Sequence, residues 1–428
     1  MPLKSKEKVF TGYQIFVIAV LSFMQFAVIL DFMVISPLGV ILMKTLSITP
    51  SKFSLAVSAY AFSAGASGLL AAGFADKFDR KRLLLFFFSG FLLGTVLCAI
   101  APTFELLLVA RIVTGIFGGV IGSVSFAIIT DLFPMQVRGR VMGYVQMSFS
   151  ASQVLGIPVG LWLANAYGWH ACFWMIAAIG TVAGIVIAIK MRPVREHLTL
   201  NIDRNALHHL VATLSKPRYL FGFLTMSTLA SGFMLMPFGT AFATQNLGLT
   251  MDQLPLLFLI TGLSTIVVGP IAGKISDAIG KNRLFIFATL ANLIVVAIYT
   301  NMGTTPFWIA CAISVAIWVT STARMIPAGA LVTAIPEKED RGAYMSLNSA
   351  IMQISGGIST VIAGLVVTQS PAGKLVHYDL LGYLVAAIML VSVALMYFIN
   401  RSIEEKSHAV PLPDVSEQTS PEFATEAS

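Results

Sequence analysis

The chain has 428 residues, 57% of them hydrophobic and only 11% charged, with a mean hydropathy of +0.85. A soluble domain carries roughly 25% charged residues, so this composition excludes a water-soluble fold and places the chain in a bilayer. The formal net charge of +7 suggests a nucleic-acid partner only until the basic residues are located.

Twelve apolar runs follow one another, at about 14–40, 52–74, 83–101, 104–130, 141–164, 169–190, 219–243, 253–273, 283–301, 306–334, 342–368 and 378–400. Each can cross about 30 Å of hydrocarbon as a helix. They are too long and too continuously apolar for the strands of a barrel. The start, "MPLKSKEKVFTGYQ", is too charged and too near the first span for a cleaved signal peptide, and residues 1–13 read as a cytoplasmic tail. Of the 27 Lys and Arg, Lys44, Lys52 and Lys374 lie on one side of the membrane and Arg111 and Arg324 fall inside spans; all the others lie on the opposite side. That asymmetry puts both termini in the cytoplasm and the chain in the cell membrane. It also accounts for the charge without a nucleic-acid partner.

The longest connection, 191–218, separates six spans (14–190) from six more (219–400). Within it "NALHHLVATL" has helical apolar spacing and basic neighbours, and is expected to lie along the membrane surface with His208 and His209 solvated. Residues 401–428 are polar and acidic with three prolines and are expected to be a disordered cytoplasmic tail. Cys98, Cys172 and Cys311 have neither pairing nor metal spacing.

The halves repeat. Pro37 and Gly39 match Pro237 and Gly239 at an offset of 200, Asp76 matches Asp277 at 201, and Arg138-Gly139 matches Arg341-Gly342 at 203. Six spans per half give both halves one orientation, so the repeat axis runs along the membrane normal, as in transporters that rock one half against the other. The expected fold is an all-α membrane protein of two six-helix bundles with pseudo-two-fold symmetry.

"AGFADKFDRKRLL" (72–84) and "GKISDAIGKNRLF" (273–285) resemble the G-x-L-x-D-R-x-G-R-R/K signature of the major facilitator superfamily, and within it the twelve-helix drug:proton antiporters. Gly273, Asp277, Gly280 and Lys281 carry the signature in the second half; Asp76, Arg80 and Lys81 fit in the first, where Ala72 and Asp79 replace the two glycines. Asp tolerates the left-handed conformation that such a glycine supplies, so a turn at Asp79 is expected. The resemblance implies a cytoplasmic gate: Asp76 facing the start of span 11 near Arg341, and Arg80 meeting Asp131. "ARIVTGIFGGVIG" (110–122) resembles the family's R-x-x-x-G signature, with a small-residue face at Thr114, Gly115, Gly118 and Gly122. In span 5, Gly156, Pro158 and Gly160 resemble the antiporter signature G-P-x-x-G-G, with the proline one residue late and Leu161 in place of the last glycine.

Asp31 is an acid inside span 1, where an isolated charge costs about 2.5–3.5 kcal/mol. Arg111 in span 4 lies at comparable depth, and the family places both spans around a central cavity, so the two are expected to pair. Aligned on the prolines, Asp31 corresponds to Ser231, so the acid is not part of the repeated scaffold. Asp31 and Arg111 are the candidates for proton coupling or substrate binding. Arg324 in span 10 is a candidate for an anionic substrate or for a helix C-terminus. Met24, Met33, Phe233, Met234, Met236 and Met325 are candidate cavity residues, because flexible Met and aromatic walls suit varied apolar ligands.

The leading expectation is a monomeric, proton-coupled efflux transporter for small amphipathic or sugar-like molecules, with the proton gradient as energy source and no metal or cofactor. A proton symporter for uptake and a non-transporting sensor or scaffold are the alternatives. The chain has no P-loop, no H-E-x-x-H and no G-x-S-x-G, which removes support for an ATP-driven pump and for the commonest hydrolases.

Overall fold

The computed structural model describes residues 10–71, 77–195, 198, 206–337, 340–371 and 373–409. Among these, twelve helices are long and apolar enough to span a membrane: α1 (Gly12–Val34), α2 (Pro50–Ala71), α3 (Arg80–Ala99), α4 (Phe104–Leu132), α5 (Met135–Tyr167), α6 (His170–Lys190), α7 (Pro217–Gln245), α8 (Met251–Ile279), α9 (Lys281–Thr300), α10 (Phe307–Val332), α11 (Arg341–Val366) and α12 (Tyr378–Arg401). The protein is a multi-pass, all-α membrane protein of two six-helix bundles. Polar residues start several helices: Thr11 and Gln14 form a capping box on α1, and the Thr103 hydroxyl accepts from Leu106 N at the start of α4.

Three spans depart from the straight helices expected. The helix of α1 stops at Val34, turns, and resumes as Gly39–Thr45. Helix α7 passes through two 3₁₀ segments, Ala230–Met234 and Met236–Phe238, before Gly239–Gln245. The repeated prolines Pro37 and Pro237 sit in these breaks, and neither has an N–H to continue the helical ladder. In α5, a π-helical turn at Ser152–Gly156 joins two α segments. Pro158 lies just beyond it, with no N–H to donate and a ring that crowds the Val154 carbonyl of a normal α-turn; the wider turn relieves that crowding. At the C-terminus the helix continues to Ala409, so the expected tail does not begin at 401. Residues 410–428 lie outside the described residues, as do residues 1–9 of the expected N-terminal tail.

The packing is asymmetric between the two ends of the molecule. At the end away from the basic loops, one apolar core joins both halves: Ile35, Leu38, Phe53, Trp169 and Phe173 pack in the same cluster as Phe238, Phe242, Leu257 and Tyr378. Phe53 and Phe238 meet edge-on across the seam at 6.1 Å. At the basic end, the buried core divides. One cluster, including Leu21, Phe88, Val124 and Val145, belongs to the first half; another, including Phe223, Phe285, Leu331 and Tyr344, belongs to the second, with Leu69 of α2 touching its edge. The seams between halves rely on missing side chains. A Cβ at Gly65 of α2 would lie 2.8 Å from Ile354 of α11, and one at Gly262 of α8 would lie 2.8 Å from Val154 of α5.

Candidate functional site: a buried ion pair

Helix α1 carries Asp31 and α4 carries Arg111, and both side chains are 0% exposed. Arg111 Nη1 donates to Asp31 Oδ2 at 2.7 Å and to the Asp31 backbone carbonyl at 3.2 Å. Thr95 Oγ1 of α3 donates to Asp31 Oδ1 at 3.4 Å. The ring of Tyr60, from α2, lies 4.6 Å from the guanidinium carbon, a cation–π contact strengthened by the absence of water. Four helices of the first half therefore converge on one charge pair. Glycines permit the approach: a Cβ at Gly115 would lie 2.5 Å from the Tyr60 carbonyl oxygen, and one at Gly118 2.7 Å from the Tyr60 hydroxyl. Gly156, at the end of the π turn, lets α5 close on α1 at Leu30, the neighbour of Asp31, because a Cβ there would lie 2.6 Å from that leucine. Gly160 makes room in the same way for Cys172, and Pro158 lies between the two glycines.

The pair brings the two sequence candidates together at their matched depth. Thr95 and Tyr60 were not legible beforehand, since a Thr and a Tyr in apolar spans carry no charge signal. From Tyr60 an aromatic series leads to the second half: Tyr60 to Phe32 at 5.3 Å, then Phe32 to Phe233 of α7 at 6.0 Å. Phe32, Phe233, Met236, Gln353 and Thr360 line a small cavity on this seam.

Three of the expected cavity residues lie in buried apolar packing. Met24 is 0% exposed inside the first-half core, and Met33 and Met234 are 2% and 4% exposed in the shared core. Their flexible thioethers fill gaps between helices. Phe233 and Met236 do reach the seam cavity, Met325 packs on the edge of the second-half core, and Arg324 is buried in α10.

The gate candidates divide. Arg80 Nε meets Asp131 Oδ2 at 3.2 Å, joining the starts of α3 and the end of α4 within the first half. Lys81 Nζ donates to the Ala188 carbonyl near the end of α6 at 2.9 Å, a contact inside the first half that bridges nothing to the second. Asp76 lies outside the described residues. Gly280 has φ +96° and makes the turn from α8 to α9, while Asp277 and Lys281 beside it are exposed and Gly273 half-buried.

Asp79 does not form the expected turn. Its φ is −54°, and it caps α3: its carboxylate accepts from Lys81 N at 2.9 Å and from Arg195 Nε at 2.7 Å. Burial pushes this carboxyl up, but Arg195 and the backbone N–H groups of Arg82, Lys81 and Val194 outweigh that and hold it below the usual carboxylate range. An aspartate serves here because the start of a helix presents free N–H groups. Asp340 precedes α11, but its carboxylate takes side-chain donors and not the free N–H groups of the helix. Lys216 and the Tyr219 hydroxyl (2.6 Å) donate to it and hold it low, with His209 at 3.7 Å adding to the effect. The same contact raises Lys216 above its ordinary value. The connection between the halves is thus fastened to the first half through Arg195 and to the second through Lys216. The amphipathic helix expected within that connection is present as Ala206–Leu214, with Leu210 buried in the second-half core.

The Major Facilitator Superfamily model matches residues 21–238 and again 221–421. "Uncharacterized MFS-type transporter YceJ" of Bacillus subtilis (strain 168) is 23% identical over 389 residues, covering 90% of this chain and 96% of that one. "Multidrug resistance protein 3" of the same organism is 32% identical over 163 residues, covering 38% of this chain and 32% of that one. Among solved structures, a D-xylose-proton symporter superposes with a TM-score of 0.74 at 16% identity, covering 90% of this chain and 97% of that one. A bacterial homolog of the human lysosomal transporter Spinster superposes at 0.70 and 16%, covering 92% and 98%. At these identities the superpositions speak for the fold. The two consecutive family matches, one on each half, span nearly the whole chain, which therefore belongs to the Major Facilitator Superfamily of secondary transporters and is a carrier, not an enzyme.

Proposed function

We propose that this transporter expels small amphipathic molecules in exchange for protons, as in the drug:proton antiporter branch of the superfamily, with the Asp31–Arg111 pair as its coupling site. The observation that carries the reading is the pair itself: a carboxylate and a guanidinium, both fully buried, with a 2.7 Å contact. Ion pairs of this kind are weak stabilisers, since desolvation consumes most of the attraction, and intramembrane ionisable groups are functional by default. With the basic loops in the cytoplasm, the divided core faces inward and the shared core seals the outside. In this inward-facing form Asp31 is paired with Arg111. Rocking to the outward form moves α1 relative to α4, loosens the pair and lets Asp31 take a proton from outside. Return to the inward form restores Arg111 and releases the proton inside.

The aromatic series from Tyr60 through Phe32 to Phe233 gives the pair a mechanical connection to the seam. Arg80 with Asp131, Asp76 and Asp277 belong to the inner gate in this reading. One chain holds both halves of the path, so a monomer suffices.

The test uses proteoliposomes with a pH dye inside. Addition of a transported compound to wild-type vesicles should move protons, and Asp31→Asn should abolish the signal while the protein still elutes as a single folded species. Full proton-driven transport by Asp31→Asn would sink the assignment. The sign of the pH change separates exchange from co-transport.

A further inference from the structure

Arg324 of α10 is a second buried cation, 4% exposed, and its setting differs from that of Arg111. Its Nε and Nη2 are buried without a protein partner. The acids between residues 219 and 400 are Asp252, Asp277, Glu337, Glu339, Asp340 and Asp379. Those among the described residues lie at helix ends or in loops, whereas Arg324 lies eight residues before Val332, the last residue of α10, or about 12 Å into the helix. Among the described residues, no carboxylate of the second half shares its depth.

The neighbouring polar groups are mostly donors, with the buried Asn292 Oδ1 the unpartnered acceptor among them. Ser321 and Thr320 lie one turn away on the same face. Asn292 of α9 donates its side-chain N–H groups to both hydroxyls, at 2.9 and 2.7 Å. Thr320 passes its own proton to the Ala316 carbonyl at 2.7 Å. The Ser321 oxygen accepts from Asn292, which leaves its O–H available as a donor. The stretch of α10 from Val315 to Ile326 is otherwise half-buried on every side. Helices α8 and α10 bury only 22% of their most apolar stretches, against 50% for α2 and α4, so much of α10 is uncovered by protein.

We propose that Arg324, assisted by the Ser321 hydroxyl, receives an acidic group on the transported molecule: a carboxylate, sulfonate or phosphonate on an otherwise apolar skeleton. A guanidinium offers several N–H donors in a fixed fork that matches such oxyanions. A buried charge is costly unless something pairs with it, and a donor-rich, acid-free strip fits an anion supplied from outside the protein. This inference rests on the transporter reading and narrows its substrate class.

The experiment is thermal stabilisation of the purified full chain by matched probes: benzoate, decanoate, benzenesulfonate and phenylphosphonate, with benzamide, decanol and benzylamine as neutral and cationic counterparts. At least one acid should stabilise the wild type while its uncharged counterpart does not. Arg324→Gln should weaken that acid about 10- to 100-fold, the range for losing a hydrogen bond to a charged group. Arg324→Lys should keep part of the affinity. If Arg324→Gln does not elute as a folded species, Arg324→Lys and Ser321→Ala carry the test, and each should weaken the acid at least about threefold. The proposal is overturned if no acid stabilises the wild type, if amide or amine probes bind as well as acids, or if the folded Arg324 and Ser321 variants bind the acid as the wild type does. No proton gradient enters this measurement, so its failure and the failure of proton exchange at Asp31 are separate results.

Discussion

The two halves share a scaffold and differ in their charges. Both break a spanning helix at an equivalent proline, Pro37 and Pro237, and both place an Arg-Gly pair near the start of their fifth helix. Where the first half has Asp31, the second has Ser231 at an offset of 200; where it has Arg111, the second has Ser314 at 203. Both serines are buried. The second half instead carries Arg324, which matches an apolar stretch near Ile121 in the first. The repeat therefore supplies the rocking geometry, and the chemistry is added once to each half, as a closed ion pair in one and an open cation in the other.

Several substitutions break or sharpen that contrast. The largest effect is expected from Asp31→Asn, which should cut proton-coupled transport more than about 100-fold by removing the only titrating carboxyl of the pair. The matching change in the second half, Ser231→Ala, should leave coupling unchanged; equal losses from both would erase the distinction drawn here. Next is Arg111→Gln, which strands a buried carboxylate and should destabilise the fold by about 3–5 kcal/mol. Combining it with Asp31→Asn should recover much of that loss in thermal unfolding, because two neutral amides need less solvation than one bare charge. Third, Phe238→Ala removes a fully buried ring from the shared core and should cost about 3–5 kcal/mol of packing. Spin labels on the two halves at that end should then report longer distances, whereas a comparable truncation at Phe88, inside the first-half core, should lower stability and leave those distances alone.

The smallest effect concerns the two fastening carboxylates. Asp79 and Asp340 are both held below their ordinary range. Such acids stabilise the fold above the unfolded value of about 4 and lose that contribution as pH falls through the lower folded value. Unfolding midpoints should therefore drop on acidification below about pH 4, and Asp79→Asn or Asp340→Asn should flatten that limb by a modest amount, since Arg195 and Lys216 are about half exposed and solvent screens them.

The sequence was most informative where lipid punishes error. Charges inside spans are expensive, so Asp31 and Arg111 stood out and their equal depth pointed to each other. Loop charge and the repeated prolines made the halves visible. Faces were harder to read, because these helices are apolar nearly all round. Met24 and Met33 looked like cavity residues and are core, since nothing in their spacing separates a protein-facing side from a lipid-facing one. Tyr60 and Thr95 gave no signal in sequence because their roles depend on glycines of a neighbouring helix. Asp79 misled for another reason: the signature glycine it replaces suggested a turn, and a carboxylate near free N–H groups found the beginning of a helix instead. Asp76, whose partner was expected at α11, lies outside the described residues.

The π turn at Ser152–Gly156 has a consequence for alignment as much as for packing. One extra residue in a helix advances everything after it by about 100°. Pro158 falls one place later than the family signature puts it, yet Gly156 and Gly160 still meet Leu30 and Cys172. A π turn takes up one residue more than an α-turn, so the outer half of α5 keeps its phase, with its glycines toward α1 and α6. Substitutions within the turn leave that phase alone. Deleting a single residue from the turn would restore an ordinary α-turn and keep that phase, and would bring back the crowding between Pro158 and the carbonyl four residues before it.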